Sequence, residues 1–253
     1  MKNIVEARGV AMKYHSNAGE VTAISHIDLD VADGEFISIV GPSGCGKSTL
    51  LSILAGLIVP SAGDVRIDGR NVAESRCQIG YMLQRDHLFP WRTILGNVLL
   101  GLEIRGLATA ENVAYAQSLL EKYGLADFAK ARPGELSGGM RQRAALIRTL
   151  ATHPKILLLD EPFSALDYQT RLYVSDEIRG ILAAEGMTAI LVTHDISEAI
   201  ALSDRVVVLS ARPAVVKNTH TIDLGAKSPI LARKSSKFPE YFDRIWKELD
   251  INE

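Results

Sequence analysis

The amino-acid sequence predicts an α/β fold with a mostly parallel β-sheet, an antiparallel β part at the N-terminus and an inserted helical lobe. Three patterns indicate this fold: strand-like segments predominate in residues 4–83, helical periodicity fills residues 90–154, and apolar strands alternate with helices from residue 156 onward. Strands that are apolar throughout are typical of parallel sheets, because helices cover both faces of such sheets. We expect one main domain over residues 1–225 and a C-terminal tail over residues 226–253 that packs on it.

The N-terminal part contains three strand patterns. Residues 4–10 predict a short edge strand, and residues 27–31 alternate apolar and polar side chains with the period of a half-buried strand. Asp33 and Gly34 then form a dipeptide that is typical of hairpin turns. Residues 36–40 are apolar enough for a buried strand.

A glycine-rich loop follows and leads into a helix over about residues 47–57. A turn at residues 60–63 separates this helix from strand patterns near residues 65–67 and 79–83. The glycine-rich loop therefore stands between a buried strand and a helix.

Helical periodicity replaces the strand patterns from about residue 90. No strand pattern interrupts it before residue 154, so this block predicts a helical lobe inserted into the α/β part. Three sets of apolar side chains recur at helical spacing: Leu95, Val98, Leu99 and Leu102; Ala116, Leu119, Leu120 and Tyr123; and Met140, Ala144, Ile147 and Ala151.

The rest of the chain alternates strands and helices and ends in a helical tail. The predicted strands cover residues 156–159, 189–192 and 206–209, with helices over residues 172–183 and 196–202. One face of the tail carries an apolar stripe. Such stripes more often pack on a core than act as sensors, so we interpret this one as a packing surface. The stripe consists of Phe238, Tyr241, Phe242, Ile245, Trp246 and Leu249.

Composition narrows the classes of function. Of the 253 residues, 47% are hydrophobic and 23% are charged, which are ordinary values for a globular chain with its own core. Lys and Arg (28) nearly balance Asp and Glu (30), so the net charge of -2 lacks the basic excess of a general nucleic-acid binder, and we expect no nucleic-acid partner. Two cysteines, Cys45 and Cys77, exclude a disulfide scaffold and fit a reducing compartment.

Two further features predict a cytosolic protein. The most apolar stretch, residues 50–59, covers about half of the roughly 20 residues that a membrane-spanning helix needs. The N-terminus lacks the apolar run and cleavage site of a secretory signal. If the protein works at a membrane, we expect another chain to bring it there.

Residues 41–48 fit the phosphate-loop pattern in the right context. Small residues let backbone N–H groups turn toward a polyphosphate, and the positive end of the next helix favours the same anion. Lys47 is expected to reach the β- and γ-phosphates, and the Ser48 hydroxyl to ligate Mg²⁺. An ordinary glycine turn is the alternative. The predicted phosphate-binding set is Gly41, Pro42, Ser43, Gly44, Cys45, Gly46, Lys47, Ser48 and Thr49.

Two acidic residues follow the apolar run at residues 156–159. A carboxylate at the carboxyl end of a buried parallel strand faces the ligand crevice of such a sheet. We expect Asp160 to hold Mg²⁺, through water, and Glu161 to act as general base or to position the attacking water. The alternative is that the two acids merely end a strand.

A further segment, residues 136–140, opens a helix with Ser137 as its natural N-cap. Gly138 and Gly139 leave the helix start open to an anion. On chemistry alone, a plain helix start is an equal alternative.

Together these segments resemble the ATP-binding cassette (ABC) ATPases over about residues 4–216. The resemblance implies a P-loop NTPase core, ATP and Mg²⁺ as ligands, and ATP hydrolysis coupled to transport. The motifs follow the order of that family: Walker A (residues 41–48), a glutamine after a strand (Gln84), the signature LSGGM (136–140), Walker B (156–160) with Glu161, the D-loop (164–167) and the switch histidine (His194).

The resemblance also implies individual roles. Gln84 would sense Mg²⁺ and the γ-phosphate, His194 would contact the γ-phosphate and position Glu161, and Tyr14 would stack on adenine. The loop at residues 85–91 would face the transport partner. Considered alone, His194 fits a satisfied histidine at a strand end, Tyr14 a surface tyrosine, and the loop an ordinary surface loop.

Three other residues carry alternatives. Asp167 would link the sites of two subunits by resemblance, whereas alone it fits a helix cap. Met140 departs from the glutamine that usually ends the signature, but we expect no loss of activity, because the expected γ-phosphate contacts are Ser137 and the two glycines. The loop position of Cys45 favours a reactive thiolate, but tolerance of a small residue there is the preferred interpretation.

The same resemblance predicts the partners. In this family the signature of one chain closes over ATP bound by another, so we expect a head-to-tail dimer of two copies. We also expect an integral membrane permease and an external solute-binding protein acting through it, with the chain peripheral on the cytoplasmic side of the inner membrane. Motif details around Gln84 and residues 238–249 are similar to the nitrate, sulfonate and taurine importers. An ABC-type ATPase that drives export, lipid extraction or a non-transport process is the alternative.

Overall fold

The computed structural model of the chain describes residues 2–16, 19–225 and 228–249. Residues 226–227 and 250–253 of the predicted tail lie outside the described residues. Ten strands occur in the described residues: β1 (Asn3–Ser16), β2 (Gly19–Ala32), β3 (Phe36–Val40), β4 (Ala62–Ile67), β5 (Arg70–Asn71), β6 (Ile79–Met82), β7 (Ile156–Asp160), β8 (Thr188–Val192), β9 (Arg205–Leu209) and β10 (Ala214–Thr221). The same ranges contain ten α-helices: α1 (Lys47–Leu54), α2 (Val72–Ser75), α3 (Ile94–Val98), α4 (Leu100–Ile104), α5 (Ala110–Lys122), α6 (Gly138–Leu150), α7 (Tyr168–Ala184), α8 (Ile196–Leu202), α9 (Pro229–Ala232) and α10 (Phe238–Glu248).

The strands form one sheet in the order β5-β4-β1-β2-β10-β9-β3-β8-β7-β6. In its core, β3 runs parallel to β8 and β9, and β7 runs parallel to β6 and β8. At the other end, β1 pairs antiparallel with β2 and β4. All five residues of β3 and of β8 are buried, as strands covered on both faces must be. The structure thus confirms the predicted α/β fold with its parallel sheet and antiparallel N-terminal part.

Two predictions for the N-terminal part are wrong. Residues 4–10 belong to β1, which is not an edge strand, because β4 and β2 flank it and its inward side chains, such as Val5 and Val10, are fully buried. Asp33 and Gly34 form a turn but not a hairpin, because β2 and β3 are separated in the sheet by β10 and β9. The apolar β3 pairs instead inside the parallel core, where both its faces are covered.

The sequence patterns missed β5 and β10 and the four-residue helices α2 and α9. The second half of β10 is mostly exposed and polar, so it shows no apolar alternation. Nevertheless β10 pairs parallel with β2 and antiparallel with β9. It therefore joins the two parts of the sheet, a role that depends on pairing partners distant in sequence.

Helices α3 to α6 form the helical part between β6 and β7. Their buried faces share one apolar cluster with side chains of the sheet, including Met82, Leu157 and Leu191. In α5 the residues buried are Ala116, Leu119 and Leu120, which confirms the face that the helical spacing predicted. The segment predicted as one face from Leu95 to Leu102 is divided between α3 and α4.

The C-terminal helix α10 packs on α8. Ile245 is fully buried in a cluster with Ile196 and Ile200 of α8. At the end of α10, the Glu248 carboxylate accepts a hydrogen bond from Asn218 of β10 (2.7 Å) and lies 2.9 Å from the His220 ring. Trp246, in contrast to the predicted stripe, is 61% exposed. Of the helices in the described ranges, none combines the length and apolar character that crossing a membrane takes.

Helix α8 carries a buried carboxyl group, that of Glu198, which is 3% exposed. Burial raises the pKa of Glu198 to about 7, and the negative charge of Asp195 acts in the same direction. A hydrogen bond with Thr193 and the charges of Arg171 and Arg233 oppose this shift. The folded state therefore favours the neutral form of this group.

We expect Glu198 to make the free energy of unfolding fall as the pH rises from about 4.5 to about 7. In this window the unfolded chain has released the proton and the folded chain still binds it. Replacing Glu198 by Gln removes this contribution. The free energy of unfolding of the variant should therefore rise, relative to that of wild type, by up to about 3 kcal/mol across this pH window.

Urea titrations at pH 5 and pH 8 would measure this difference, with the exposed Glu240→Gln as the matched control. Equal pH dependence in wild type and Glu198→Gln would contradict the prediction.

Candidate nucleotide-binding site

The glycine-rich loop at residues 41–48 connects the carboxyl end of β3 to the first residues of α1. Gly46, at the N-cap of α1, has φ 122°, a conformation that a side chain would strain. The Lys47 ammonium folds back over the loop and donates to the carbonyl oxygens of Gly41 (2.8 Å) and Pro42 (2.9 Å). The loop thus holds a buried cation beside the free N–H groups of a helix start, which is a cradle for an anion.

A cleft of about 550 Å³ opens beside this loop. Phosphate-loop residues form one side of it, and residues from three other connections of the sheet complete it. The described residues that line it are Ser43, Gly44, Gly46, Lys47, Ser48, Thr49, Glu161, His194 and Arg212.

Asp160, at the end of β7, lies next to Ser48. The Ser48 hydroxyl donates to one carboxylate oxygen of Asp160 (3.2 Å), and the Tyr81 hydroxyl donates to the other (3.3 Å). Burial raises the pKa of Asp160, and burial together with the Asp160 charge raises that of Tyr81 to about 12. The site therefore brings a partly desolvated carboxylate and a hydroxyl to one point, both of them hard oxygen ligands.

Glu161 and His194 form a pair at the edge of the cleft. The Glu161 carboxylate lies 3.0 Å from Nδ1 of His194. Glu161 has a left-handed backbone (φ 46°), and its N–H donates to the Val192 carbonyl at the end of β8 (2.9 Å). His194 lies two residues after the end of β8, so two neighbouring parallel strands set the geometry of the pair.

Gln84 lies one contact away from this pair. Its amide Nε2 donates to the Ser164 hydroxyl (3.1 Å), which in turn donates to the Glu161 carbonyl (2.9 Å). The Tyr14 hydroxyl lies 3.3 Å from that of Thr49, and the tyrosine is 40% exposed. The structure therefore places both residues beside the cleft, although they are not among the described residues that line it.

Cys45 is buried, with 1% of its surface exposed, and belongs to the apolar core beneath the phosphate loop. This burial is the environment of a small packing residue. Burial also shields the Cys45 sulfur from reagents, which favours the packing interpretation over a reactive cysteine.

The predicted signature segment lies on a different surface. Ser137 is exposed and caps α6, accepting a hydrogen bond from the Met140 N–H (3.3 Å). A Cβ on Gly139 would lie 2.8 Å from Val174 of α7, so glycine permits close packing of the two helices. Gly138 lines a second cavity, of about 250 Å³, together with Arg85, Asp86, Arg141, Gln142, Ala165 and Leu166.

The loop after Gln84 is tied to the signature helix α6. Asp86 accepts a hydrogen bond from Arg141 of α6 (3.1 Å). Arg148, further along α6, donates to the backbone carbonyls of Asp86 (2.8 Å) and His87 (2.7 Å). Movement of this loop would therefore be transmitted to the helix that begins at Ser137. Asp167, in turn, caps α7 through the Thr170 N–H (3.0 Å).

Three residues of the site were not predicted from the sequence. Tyr81 is an ordinary strand residue, Ser164 belongs to a loop assigned another role, and Arg212 follows β9 in a turn without a motif. The Arg212 guanidinium donates to the Gly44 carbonyl (2.8 Å). The position of Arg212 just after a buried strand is the one signal that could have indicated it, since the other site residues hold similar positions.

Comparisons with known proteins agree with this geometry. Residues 24–164 match the family described as ABC transporter. The chain is 52% identical over 243 residues to YtlC of Bacillus subtilis, described as an uncharacterized ABC transporter ATP-binding protein, which covers 95% of this chain and 94% of YtlC. It is 40% identical over 227 residues to the nitrate import ATP-binding protein NrtD of Synechocystis sp., covering 88% of this chain and 85% of NrtD.

Solved structures give the same result. The dimeric structure of MJ0796, a bacterial ABC transporter cassette, superposes with a TM-score of 0.74 at 32% identity, over 87% of this chain and 99% of that one. A post-hydrolysis state of the same cassette bound to ADP and Pi gives a TM-score of 0.71 at 31% identity, with the same coverage. The chain belongs to the ABC transporter family and is an ATP-binding and ATP-hydrolysing cassette.

Proposed function

We propose that this chain is the ATPase subunit of an ABC importer, and that it works as a head-to-tail dimer on the cytoplasmic side of a membrane permease. The observation that carries this proposal is the division of the site. The phosphate loop and the Glu161–His194 pair share one cleft, whereas Ser137 is exposed on another surface. Such half-sites are completed when two copies meet with two-fold symmetry.

Binding of the triphosphate rests on the phosphate loop. Lys47 is held over the loop by two carbonyl oxygens and is thereby placed to contact the β- and γ-phosphates. The start of α1 offers unpaired N–H groups and a positive dipole end to the same anion. Tyr14, beside Thr49, would stack on the adenine. Ser137, Gly138 and Gly139 of the second copy would close over the γ-phosphate.

The oxygen ligands present fit Mg²⁺. Ser48 and Asp160 lie within hydrogen-bond distance of each other, and burial disfavours a lone charge on Asp160, which a divalent cation would offset. Gln84 would join them from the segment that follows β6, since its Nε2 is engaged by Ser164 and its side-chain carbonyl oxygen is left for the ion. Bound there, the cation would neutralise charge on the β- and γ-phosphate oxygens.

Hydrolysis rests on the Glu161–His194 pair. We assign Glu161 as the group that orients the attacking water and accepts its proton, and His194 as the group that orients Glu161 and contacts the γ-phosphate. The hydrogen bond of the Glu161 N–H to β8 fixes the start of this side chain. Water attacks the γ-phosphorus as the bond to the ADP oxygen breaks, and ADP and phosphate are released.

Coupling to a permease would use the loop that follows Gln84. Its side chains Phe89 and Trp91 stack at 4.9 Å between ring centroids, and Trp91 is 69% exposed. Exposed stacked aromatics are typical anchors of protein interfaces. Arg141 and Arg148 connect this loop to the signature helix, so permease binding and closure of the dimer would be linked.

The proposed solute class follows from the relatives. NrtD and the nitrate transport protein NasD of Klebsiella oxytoca, 38% identical over 217 residues, are named for nitrate. We propose a small solute of the nitrate, sulfonate or taurine type, delivered to the permease by an external binding protein. No residue of the cassette needs to touch this solute.

Glu161→Gln should reduce ATP turnover at least about 100-fold while ATP binding persists, because the amide cannot accept a proton from water. An ATP-bound dimer should accumulate, as light scattering or size exclusion after ATP addition would show. Glu121→Gln, an exposed change in α5, is the control and should behave as wild type. A monomeric Glu161→Gln protein that hydrolyses ATP at the wild-type rate would refute both the assigned role and the composite site.

Trp91→Ala should leave ATP hydrolysis by the isolated chain within about twofold of wild type and reduce its co-purification with a co-expressed permease at least about tenfold. Trp246→Ala is the matched control, because it removes the other exposed tryptophan from a different surface. If both variants lose co-purification with the permease equally, or if neither loses it, the loop is not the docking site.

A further inference from the structure

Arg212 lines the nucleotide cleft from a turn that no cassette motif includes. The turn connects β9 to β10, and its base is closed by two hydrogen bonds between Ser210 and Val215, each of 3.0 Å. From this fixed base the guanidinium reaches the phosphate loop and donates to the Gly44 carbonyl (2.8 Å). The side chain is thereby held beside the phosphate loop, and it lines the same cleft as Glu161 and His194.

The basic side chains that line the cleft differ in how many of their hydrogen-bond donors are already used. The Lys47 ammonium already donates to Gly41 and Pro42, and the His194 ring is paired with Glu161. Among the described residues, the Arg212 guanidinium donates one hydrogen bond, to the Gly44 carbonyl. A guanidinium carries five N–H donors in a planar fork, so several remain for an anionic ligand.

We propose that Arg212 is a nucleotide-contacting residue that places a second positive charge on the phosphate chain of ATP and ADP. The inference rests on the proposed use of this cleft for ATP. The hydrogen bond to Gly44 keeps the guanidinium at the loop, and its remaining donors pair with phosphate oxygens, the geometry in which arginine binds such groups bidentately. Its contribution is to the affinity for the phosphate chain and not to the adenosine part.

The test measures nucleotide binding by calorimetry in Arg212→Gln and Arg212→Lys. Gln lacks the charge and keeps an amide donor on a shorter side chain, and Lys keeps the charge without the fork. We expect Arg212→Gln to weaken ATP and ADP binding about tenfold, with adenosine binding unchanged. Arg212→Lys should lose less affinity for ATP and ADP than Arg212→Gln. Because the cleft mouth is open to solvent, the difference between Arg212→Gln and wild type should shrink at high salt.

Three controls separate the possible outcomes. Thermal unfolding without nucleotide should be the same in Arg212→Gln and wild type, and Arg70→Gln, an exposed change on β5, should bind as wild type. Lys47→Ala should abolish binding. If wild type binds ATP and Arg212→Gln binds it equally well, Arg212 is only an anchor of the loop and the inference is wrong. If wild type itself fails to bind ATP or ADP, the proposed function fails instead.

Discussion

The site depends on one constraint, which is the burial of the parallel strands on both faces. Because nearly all residues of β3, β7 and β8 are buried and most of them are apolar, helices must cover these strands, and the strands can meet a ligand only at their ends. Their carboxyl ends therefore open at the same edge of the sheet. The phosphate loop follows β3, the carboxylates end β7, and His194 follows β8. Five connections of the sheet reach this edge, including those after β6 and β9.

Burial also sets the chemistry at this edge. Lys47 folds back over the loop at 7% exposure, and burial raises the pKa of Asp160. A buried cation with carbonyl partners and a carboxylate that lacks a full counter-charge are both incomplete without a ligand. A triphosphate with a divalent cation would satisfy both at once. This complementarity links the packing of the core to the function proposed for the cleft.

The proposed coupling depends on the separation of two functional surfaces on the cassette. The nucleotide cleft and the exposed Ser137 belong to different parts of the chain, joined through the loop after Gln84 and through α6. This connection is held by hydrogen bonds of Asp86, Arg141 and Arg148 and is not a flexible linker. A partner that binds the loop can therefore influence how the signature helix is presented to a second copy.

The sequence by itself determined the elements that depend on local pattern. The phosphate loop, the carboxylates after a buried strand, α8 and β3 all follow from residue types and spacing, because each is dictated by neighbours in the chain. Only the tertiary structure decided what depends on distant partners. It placed β1 inside the sheet, separated β2 from β3, paired the polar β10 and brought Tyr81 and Arg212 to the site. These features arise from pairing and packing between segments that are far apart in sequence, which local periodicity does not encode.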